Sequence, residues 1–124
     1  MLSQRSKDRL STCDSRIIQV IERTEQLLPK ELDFIVLCGF RTKEEQDKAF
    51  KEGKSKLQFP NSNHNIYPSK AVDIAPYPID WTDINRFIKL ATYVFRAAQE
   101  VNVPIQWGGH WQTFKDYPHW EIKE

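Results

Sequence analysis

The sequence has 124 residues, a formal net charge of +1 and 28% charged residues, which predicts one domain with a hydrophobic core of its own. The charges are balanced and spread along the chain, which argues against nucleic-acid binding through bulk charge and against disorder. The two cysteines, Cys13 and Cys38, are too few for a disulfide scaffold and are expected to be reduced, mostly buried thiols.

Hydrophobic periodicity predicts three helices and four strands, in the order α-β-α-β-α-β-β. Apolar residues three and four positions apart mark the helices, which are expected from Ser6 to Leu28, from Thr42 to about Gly53, and from a cap at Asp80, Thr82 or Asp83 to Val101. Short apolar runs mark the strands, expected over residues 34–38, 71–75, 105–107 and 119–122. This order indicates a small α+β domain in which a short sheet packs against helices.

Prolines and capping residues define the expected boundaries. Pro29 ends the first helix, since proline cannot continue a helical hydrogen-bond ladder. Thr42 and Glu45 form a capping box at the start of the second helix. Pro76 and Pro78 are expected to close the strand that begins at Ala71, and residues 54–67 are expected to form a loop.

One predicted strand contains a charge. Asp73 lies inside the apolar run of residues 71–75, and His64 precedes it by nine residues. A buried carboxylate needs a partner, which a cation or a metal ion could provide. Together with His119, these residues could supply the three protein ligands of a catalytic zinc site. Their spacing is not that of a short helical metal motif, so packed or surface histidines remain the alternative.

Two further polar residues are candidates for chemistry. Asp116 lies three residues before His119 and could accept a proton from water activated by a metal; the alternative is a solvated turn aspartate. Arg41 could hold an oxyanion or a substrate carboxylate through paired hydrogen bonds. Its alternative is a surface salt bridge with Glu44 or Glu45.

Five segments of the sequence, in the order in which they occur, resemble motifs of the zinc peptidases of the D-alanyl-D-alanine carboxypeptidase family. The likeness is greatest to the small phage endolysin branch of this family, the L-alanyl-D-glutamate peptidases. The likeness extends over roughly residues 5 to 122. The segments that carry it are Gly39–Gln46, Ser62–Asn65, Pro68–Ile74, Trp107–Trp111 and Asp116–Glu121.

This resemblance implies a role for each matched residue. It implies that His64, Asp73 and His119 bind Zn²⁺ and that Asp116 is the general base. It also implies that Arg41 binds substrate or stabilises the transition state.

Three more residues are expected on the substrate side of the site: Ser62, Trp107 and His110. Similar sequences usually have Asp at the position of His110, which could be a neutral variation, a supporting group or a rival zinc ligand. Cys38 stands where Ser is common and is expected to be buried and inert. Two of the three tryptophans 107, 111 and 120 are expected to serve packing.

The function implied by the resemblance is zinc-dependent cleavage of the L-Ala-D-Glu bond in the stem peptide of bacterial peptidoglycan. D-Ala-D-Ala carboxypeptidase or dipeptidase activity is one alternative, and a non-catalytic wall-binding module of the same fold is another.

The implied fold is shared with hedgehog signalling domains. Residues 1–124 are expected to form one monomeric catalytic domain, without a separate wall-binding domain or stable membrane association. No signal peptide is recognisable, so we expect synthesis in the host cytoplasm and holin-type release to the wall.

Overall fold

A computed structural model of the chain describes residues 2–124. This part of the chain contains four α-helices, two short 3-10 turns and four β-strands. The helices are α1 (Gln4–Leu10), α2 (Ser15–Leu27), α3 (Lys43–Lys51) and α4 (Ile84–Val101). The strands are β1 (Asp33–Cys38), β2 (Ala71–Tyr77), β3 (Ile105–Trp107) and β4 (His119–Ile122). The 3-10 turns span Asn63–Asn65 and Gly108–His110.

The prediction of one helix from Ser6 to Leu28 is wrong, because the chain breaks between α1 and α2. The backbone N–H of Asp14 donates to the carbonyl of Ser69 at 2.8 Å, and its side chain caps α2 by accepting from the N–H of Arg16. Leu10 of α1 and Ile17, Val20 and Ile21 of α2 belong to the same core, so the spacing of three and four continues across the break. Periodicity alone cannot reveal a contact with a distant loop.

The prediction that Pro76 closes its strand is also wrong, since β2 continues through Pro76 to Tyr77. Pro76 pairs with Phe34 of β1, whereas β4 pairs with β2 over Ala71–Asp73. Proline has no N–H to donate and is tolerated where a strand has a neighbour on one side. The position of Pro76 beyond the end of β4 satisfies that condition.

The four strands form an antiparallel sheet in the order β1-β2-β4-β3. One face packs against α2 and α4 and contributes to a single core, as expected for an antiparallel sheet with one covered face. The α+β prediction is therefore confirmed. Sheet residues in this core include Phe34, Val36, Val72, Ile74, Trp107, Trp120 and Ile122.

The opposite face of the sheet, called the polar face below, carries Asp73, His119 and Glu121, because side chains alternate between the two faces along a strand. Asp73 lies between the buried residues Val72 and Ile74, so its side chain points away from the core. It pairs directly with His119 on β4 and with Cys38 on β1, where the register shifts. Within residues 2–124, no helix combines the length and apolar character needed to cross a bilayer.

Candidate active site

The cluster formed by His64, Asp73 and His119 lies on the polar face of the sheet. Asp73 Oδ1 is 3.1 Å from His64 Nε2 and 3.2 Å from His119 Nδ1. The two histidine nitrogens are 3.2 Å apart. Both histidines are buried and Asp73 is partly exposed, so the cluster has a covered side and an accessible side.

A capped turn presents His64 to the cluster. The hydroxyl of Ser62 accepts from the N–H of His64, and the side chain of Asn65 accepts from the N–H of Ser62. His64 Nδ1 lies 2.7 Å from the carbonyl of Gly39 and donates to it. With Nδ1 engaged as a donor, Nε2 is the nitrogen that faces Asp73, and it can serve as a ligand when it is deprotonated.

A carboxylate on the same strand orients His119. His119 Nε2 donates to Glu121 Oε1 at 2.6 Å, so Nδ1 is the nitrogen that faces the cluster and can serve as a ligand when it is deprotonated. Glu121 Oε2 accepts from Asn63 Nδ2 at 3.0 Å and from Gln106 Nε2 at 2.9 Å. Glu121 thereby joins β4 to β3 and to the turn that carries His64.

The donor set of His64, Asp73 and His119 fits a metal ion. Two imidazole nitrogens and one carboxylate oxygen face one another, all within 4.8 Å. Zinc bonds of about 2.0–2.1 Å in a tetrahedral site put neighbouring ligand atoms about 3.3 Å apart. The three separations in the cluster are close to that edge length, and both histidines have their other nitrogen hydrogen-bonded to an acceptor, as metal-binding histidines usually do. This buried group could therefore hold a metal ion.

The electrostatics of the cluster centre on Asp73. Burial would raise the pKa of its carboxyl, but His64 and His119 outweigh burial and hold this pKa well below its usual range. Burial would lower the pKa of each histidine, yet Asp73 raises the pKa of His64 to about 10 and, with Glu121, that of His119 to about 9. Asp73 is thus an ionised carboxylate that strongly favours a cation beside it.

Arg41 lies next to the cluster rather than on the outer surface. Its Nη2 is 3.4 Å from Asp73 Oδ2, and its Nη1 donates to Gln46 Oε1 at 2.9 Å. Gln46 is fully buried. Glu45 instead completes the capping box with Thr42, so the alternative of an Arg41 salt bridge with Glu44 or Glu45 does not hold.

A close backbone approach holds Asp116 beside the cluster. The N–H of Asp116 donates to the carbonyl of Gly108 at 3.0 Å, and the N–H of His119 donates to the carbonyl of Asp116 at 3.1 Å. A Cβ at residue 108 would lie 2.4 Å from the Asp116 carbonyl, so only glycine fits there. Burial, reinforced by the charge of Asp73, raises the pKa of Asp116 to about 6.

These residues share a cavity of about 980 Å³. Arg41, Asp73, Asp116, the two cluster histidines and Glu121 line it. Aromatic side chains cover other parts of its wall, and lysines lie on its lining as well. The aromatic residues are Trp81, Phe87, Trp111, Phe114 and Tyr117, and the lysines are Lys54, Lys56 and Lys115.

The family model described as phage L-alanyl-D-glutamate peptidase matches residues 1–124. The chain belongs to this family. It is 31% identical over 107 residues to the peptidoglycan L-alanyl-D-glutamate endopeptidase CwlK of Bacillus subtilis strain 168, an alignment that covers 75% of this chain and 62% of CwlK. This phage-type chain therefore spans less than two thirds of that relative's length.

The crystal structure of the Serratia marcescens L-Ala D-Glu endopeptidase ChiX is similar throughout. It matches with a TM-score of 0.83 and 27% sequence identity, over 99% of this chain and 90% of ChiX. The likeness to L-alanyl-D-glutamate peptidases predicted from the ordered motifs is thus confirmed, together with the fold.

Two residues predicted on the substrate side of the site lie elsewhere. Trp107 is buried in the core, where it stacks on Trp120 and donates from Nε1 to the carbonyl of Tyr117. His110 stacks on Phe95 at 5.4 Å. Neither side chain lines the cavity, because β3 points Trp107 to the core face and the following turn carries His110 outwards. This geometry does not support direct substrate contact by either residue or a ligand role for His110.

Trp111 is the tryptophan of this segment that faces the cavity. It lines the wall and lies 5.1 Å from the ring of His119. Ser62 lines the cavity too, but its hydroxyl caps the His64 turn. Cys38 is half-buried rather than buried, lines the cavity, and has its sulfur 4.0 Å from His64 Nδ1.

Sequence reasoning gave no role to Glu121 or Gln46. Glu121 supports the site through its hydrogen bond with His119, and Gln46 does so through its hydrogen bond with Arg41. A usable signal existed for Glu121: alternation in the strand His119–Ile122 places Glu121 on the same face as His119. Gln46 offered no such signal, because a polar residue on a highly charged helix such as α3 looks solvent-exposed. Its burial follows from tertiary contacts with Arg41 and the segment that follows the helix.

Proposed function

We propose that this chain is a zinc-dependent endopeptidase that hydrolyses the L-alanyl-D-glutamate bond in the stem peptide of peptidoglycan. The observation that carries the proposal is the triangle of His64, Asp73 and His119 donor atoms, 3.1–3.2 Å apart, beside the Asp116 carboxyl in an open cavity. Membership of the phage L-alanyl-D-glutamate peptidase family supports the choice of bond, as do the names of CwlK and ChiX.

The zinc ion would be held by His64 Nε2, an oxygen of Asp73 and His119 Nδ1. When bound, zinc lowers the pKa of water and polarises a carbonyl group. Two histidines and one carboxylate leave a coordination position open, which is typical of catalytic rather than structural zinc sites. Arg41 and Glu121 keep the carboxylate and His119 in place for that task.

Asp116 is the proposed general base. Its ionised carboxylate takes a proton from the attacking water and returns it to the amine of the glutamate as the bond breaks. A pKa of about 6 suits this exchange near neutral pH. Arg41 is proposed to stabilise the negative charge that develops on the scissile carbonyl oxygen, since its guanidinium lies at the edge of the cluster and lines the cavity.

The test is digestion of purified peptidoglycan and defined muropeptides by the metal-loaded protein, followed by mass spectrometry. We expect cleavage between L-alanine and D-glutamate, and about one zinc per chain by metal analysis. Release of terminal D-alanine would instead identify a carboxypeptidase. Binding to the wall without any cleavage would identify a non-catalytic module, and full activity in the metal-free protein would exclude the zinc mechanism.

We also propose that residues 1–124 act as one catalytic domain, because a single core lies beneath the cavity, and that this domain acts as a monomer. Light scattering under assay conditions tests the monomer. The phage character of the family supports synthesis in the host cytoplasm and release to the wall by a holin-type partner. Lysis that occurs without co-expression of such a partner would contradict this route.

A further inference from the structure

The cavity has three lysines, and two of them are already engaged. Lys54 Nζ lies 3.3 Å from Glu52 Oε1, and Lys115 Nζ donates to the carbonyl of Trp111 at 3.0 Å. Within residues 2–124, Lys56 Nζ has no hydrogen-bond or ion-pair partner. It lies 5.1 Å from the centre of the Phe114 ring, an arrangement in which the ring face attracts the cation without neutralising it.

The segment that carries Lys56 is tied to the centre of the site. Gln46 Nε2 donates to Ser55 Oγ at 2.9 Å and to the carbonyl of Leu57 at 2.6 Å, so it holds the residues on both sides of Lys56. The same Gln46 accepts from Arg41 through Oε1. The backbone of Lys56 therefore keeps a defined position relative to Arg41, although its side chain is exposed.

The proposed substrate carries a further polar group near the scissile bond. Glutamate has two carboxyl groups. When alanine acylates its nitrogen and one carboxyl continues the stem peptide, the other remains, either as a free carboxylate or as a neutral carboxamide. This group is separated from the scissile nitrogen by only a few bonds, so it must lie in or beside the cavity.

We propose that Lys56, supported by Phe114, binds this remaining carboxylate and makes the enzyme prefer stem peptides with a free glutamate carboxylate over amidated ones. The inference rests on the proposed function. Arg41 is already shared between Asp73 and Gln46, and Lys115 donates to backbone carbonyls. Within residues 2–124, Lys56 is the cavity lysine that has neither a hydrogen bond nor an ion pair. A carboxylate beside it completes an ion pair, and a carboxamide does not.

The experiment compares two synthetic stem peptides that differ only in this group, a carboxylate or a carboxamide, by measuring kcat/KM for each. The wild-type enzyme is expected to prefer the carboxylate by about fivefold, the range of a partly exposed ion pair. Lys56→Gln lowers kcat/KM for the carboxylate peptide and leaves that for the carboxamide peptide unchanged, so the ratio falls to about one. Lys56→Arg retains the preference, and added salt weakens it in the wild type.

Lys54→Gln is the matched control, since it removes the same charge from the same segment at a lysine that Glu52 already neutralises. It should leave the ratio at its wild-type value. An unchanged ratio in Lys56→Gln, or an equal fall in Lys54→Gln, overturns the role of Lys56 while the proposed function stands. No cleavage of either peptide by the zinc-loaded wild type overturns both.

Discussion

The two histidines of the cluster face the same carboxylate but are held in different ways. His64 donates from Nδ1 to a backbone carbonyl, that of Gly39, whereas His119 donates from Nε2 to the side chain of Glu121. His64 therefore offers Nε2 to the cluster and His119 offers Nδ1. The choice of nitrogen follows in each case from where the acceptor lies.

Because of this difference, a point mutation can remove the hydrogen-bond acceptor of one histidine ring but not that of the other. No side-chain substitution removes the Gly39 carbonyl, so the acceptor that orients the His64 ring is a backbone group at the end of β1. The orientation of His119 depends on Glu121, which also receives hydrogen bonds from Asn63 and Gln106. The acceptor that orients the His119 ring, unlike the one that orients the His64 ring, can thus be altered by a point mutation that removes no proposed ligand.

The largest effect is expected when either histidine is removed. His64→Ala and His119→Ala each take away one of three proposed ligands, so zinc should be lost on dialysis and wall cleavage should fall below detection. Metal analysis and a muropeptide assay measure both. His110→Ala is the control, and it should keep zinc and activity because His110 packs on Phe95 outside the cavity. Zinc loss in His110→Ala with retention in His119→Ala would reverse the assignment.

Asp116→Ala is expected to separate metal binding from turnover. The three proposed ligands remain, so zinc should stay bound, while kcat should drop by roughly 10²–10⁴-fold, the usual contribution of a general base. Metal content and kcat are measured on the same preparation. A variant that keeps the wild-type kcat would remove Asp116 as the base, and one that loses zinc would make it a ligand.

Glu121→Gln tests the difference between the two histidines directly. Glutamine can still accept from His119, but its NH2 group would face the donors Asn63 and Gln106, so the support of His119 is weakened. We expect zinc affinity to fall by roughly 10–100-fold, the usual cost of losing a carboxylate partner of a metal-binding histidine. Competition with a chelator measures it. Glu124→Gln, which alters an exposed pair with Lys70, is the control, and equal affinities in both variants would contradict the role of Glu121.

The smallest of these effects concerns pH. A base acts only when ionised, and the pKa of Asp116 is raised to about 6, so kcat/KM should decrease on acidification below that pH, by about tenfold per pH unit. A bound cation nearby would move this limb to lower pH, because it favours the ionised form. Activity profiles of the wild type and Asp116→Glu check the assignment. A profile that stays flat down to pH 4 would speak against it.

Much of the fold can be predicted from the sequence because it depends on local patterns. The capping box at Thr42 and Glu45 begins a helix by satisfying backbone N–H groups within one turn. The long apolar stripe of α4 predicts a helix without any information about the elements that pack against it. Asp73 in an apolar strand also predicts a buried partner, since burying an unpaired carboxylate costs too much free energy.

Other features arise only when distant segments meet. The break between α1 and α2 depends on a hydrogen bond from Asp14 to Ser69, and the roles of Glu121 and Gln46 depend on partners from other elements. The sequence places Trp107 and Trp111 four residues apart with no sign of which one faces the core. The sheet decides this, because pairing with Trp120 turns Trp107 inwards and leaves Trp111 beside His119.

By itself, then, the sequence identifies the candidate reactive groups of the site, which are Arg41, His64, Asp73, Asp116 and His119, and the secondary structure that carries most of them. It does not identify the supporting residues Glu121 and Gln46. The tertiary structure decides how each side chain is held: which nitrogen of each histidine faces Asp73, and which described cavity lysine has neither a hydrogen bond nor an ion pair. Residue types and periodicity are properties of neighbouring positions along the chain. Hydrogen-bond partners and unpaired charges depend on positions that folding brings together. Gln46, for example, is bonded to Arg41 and to the segment that carries Lys56.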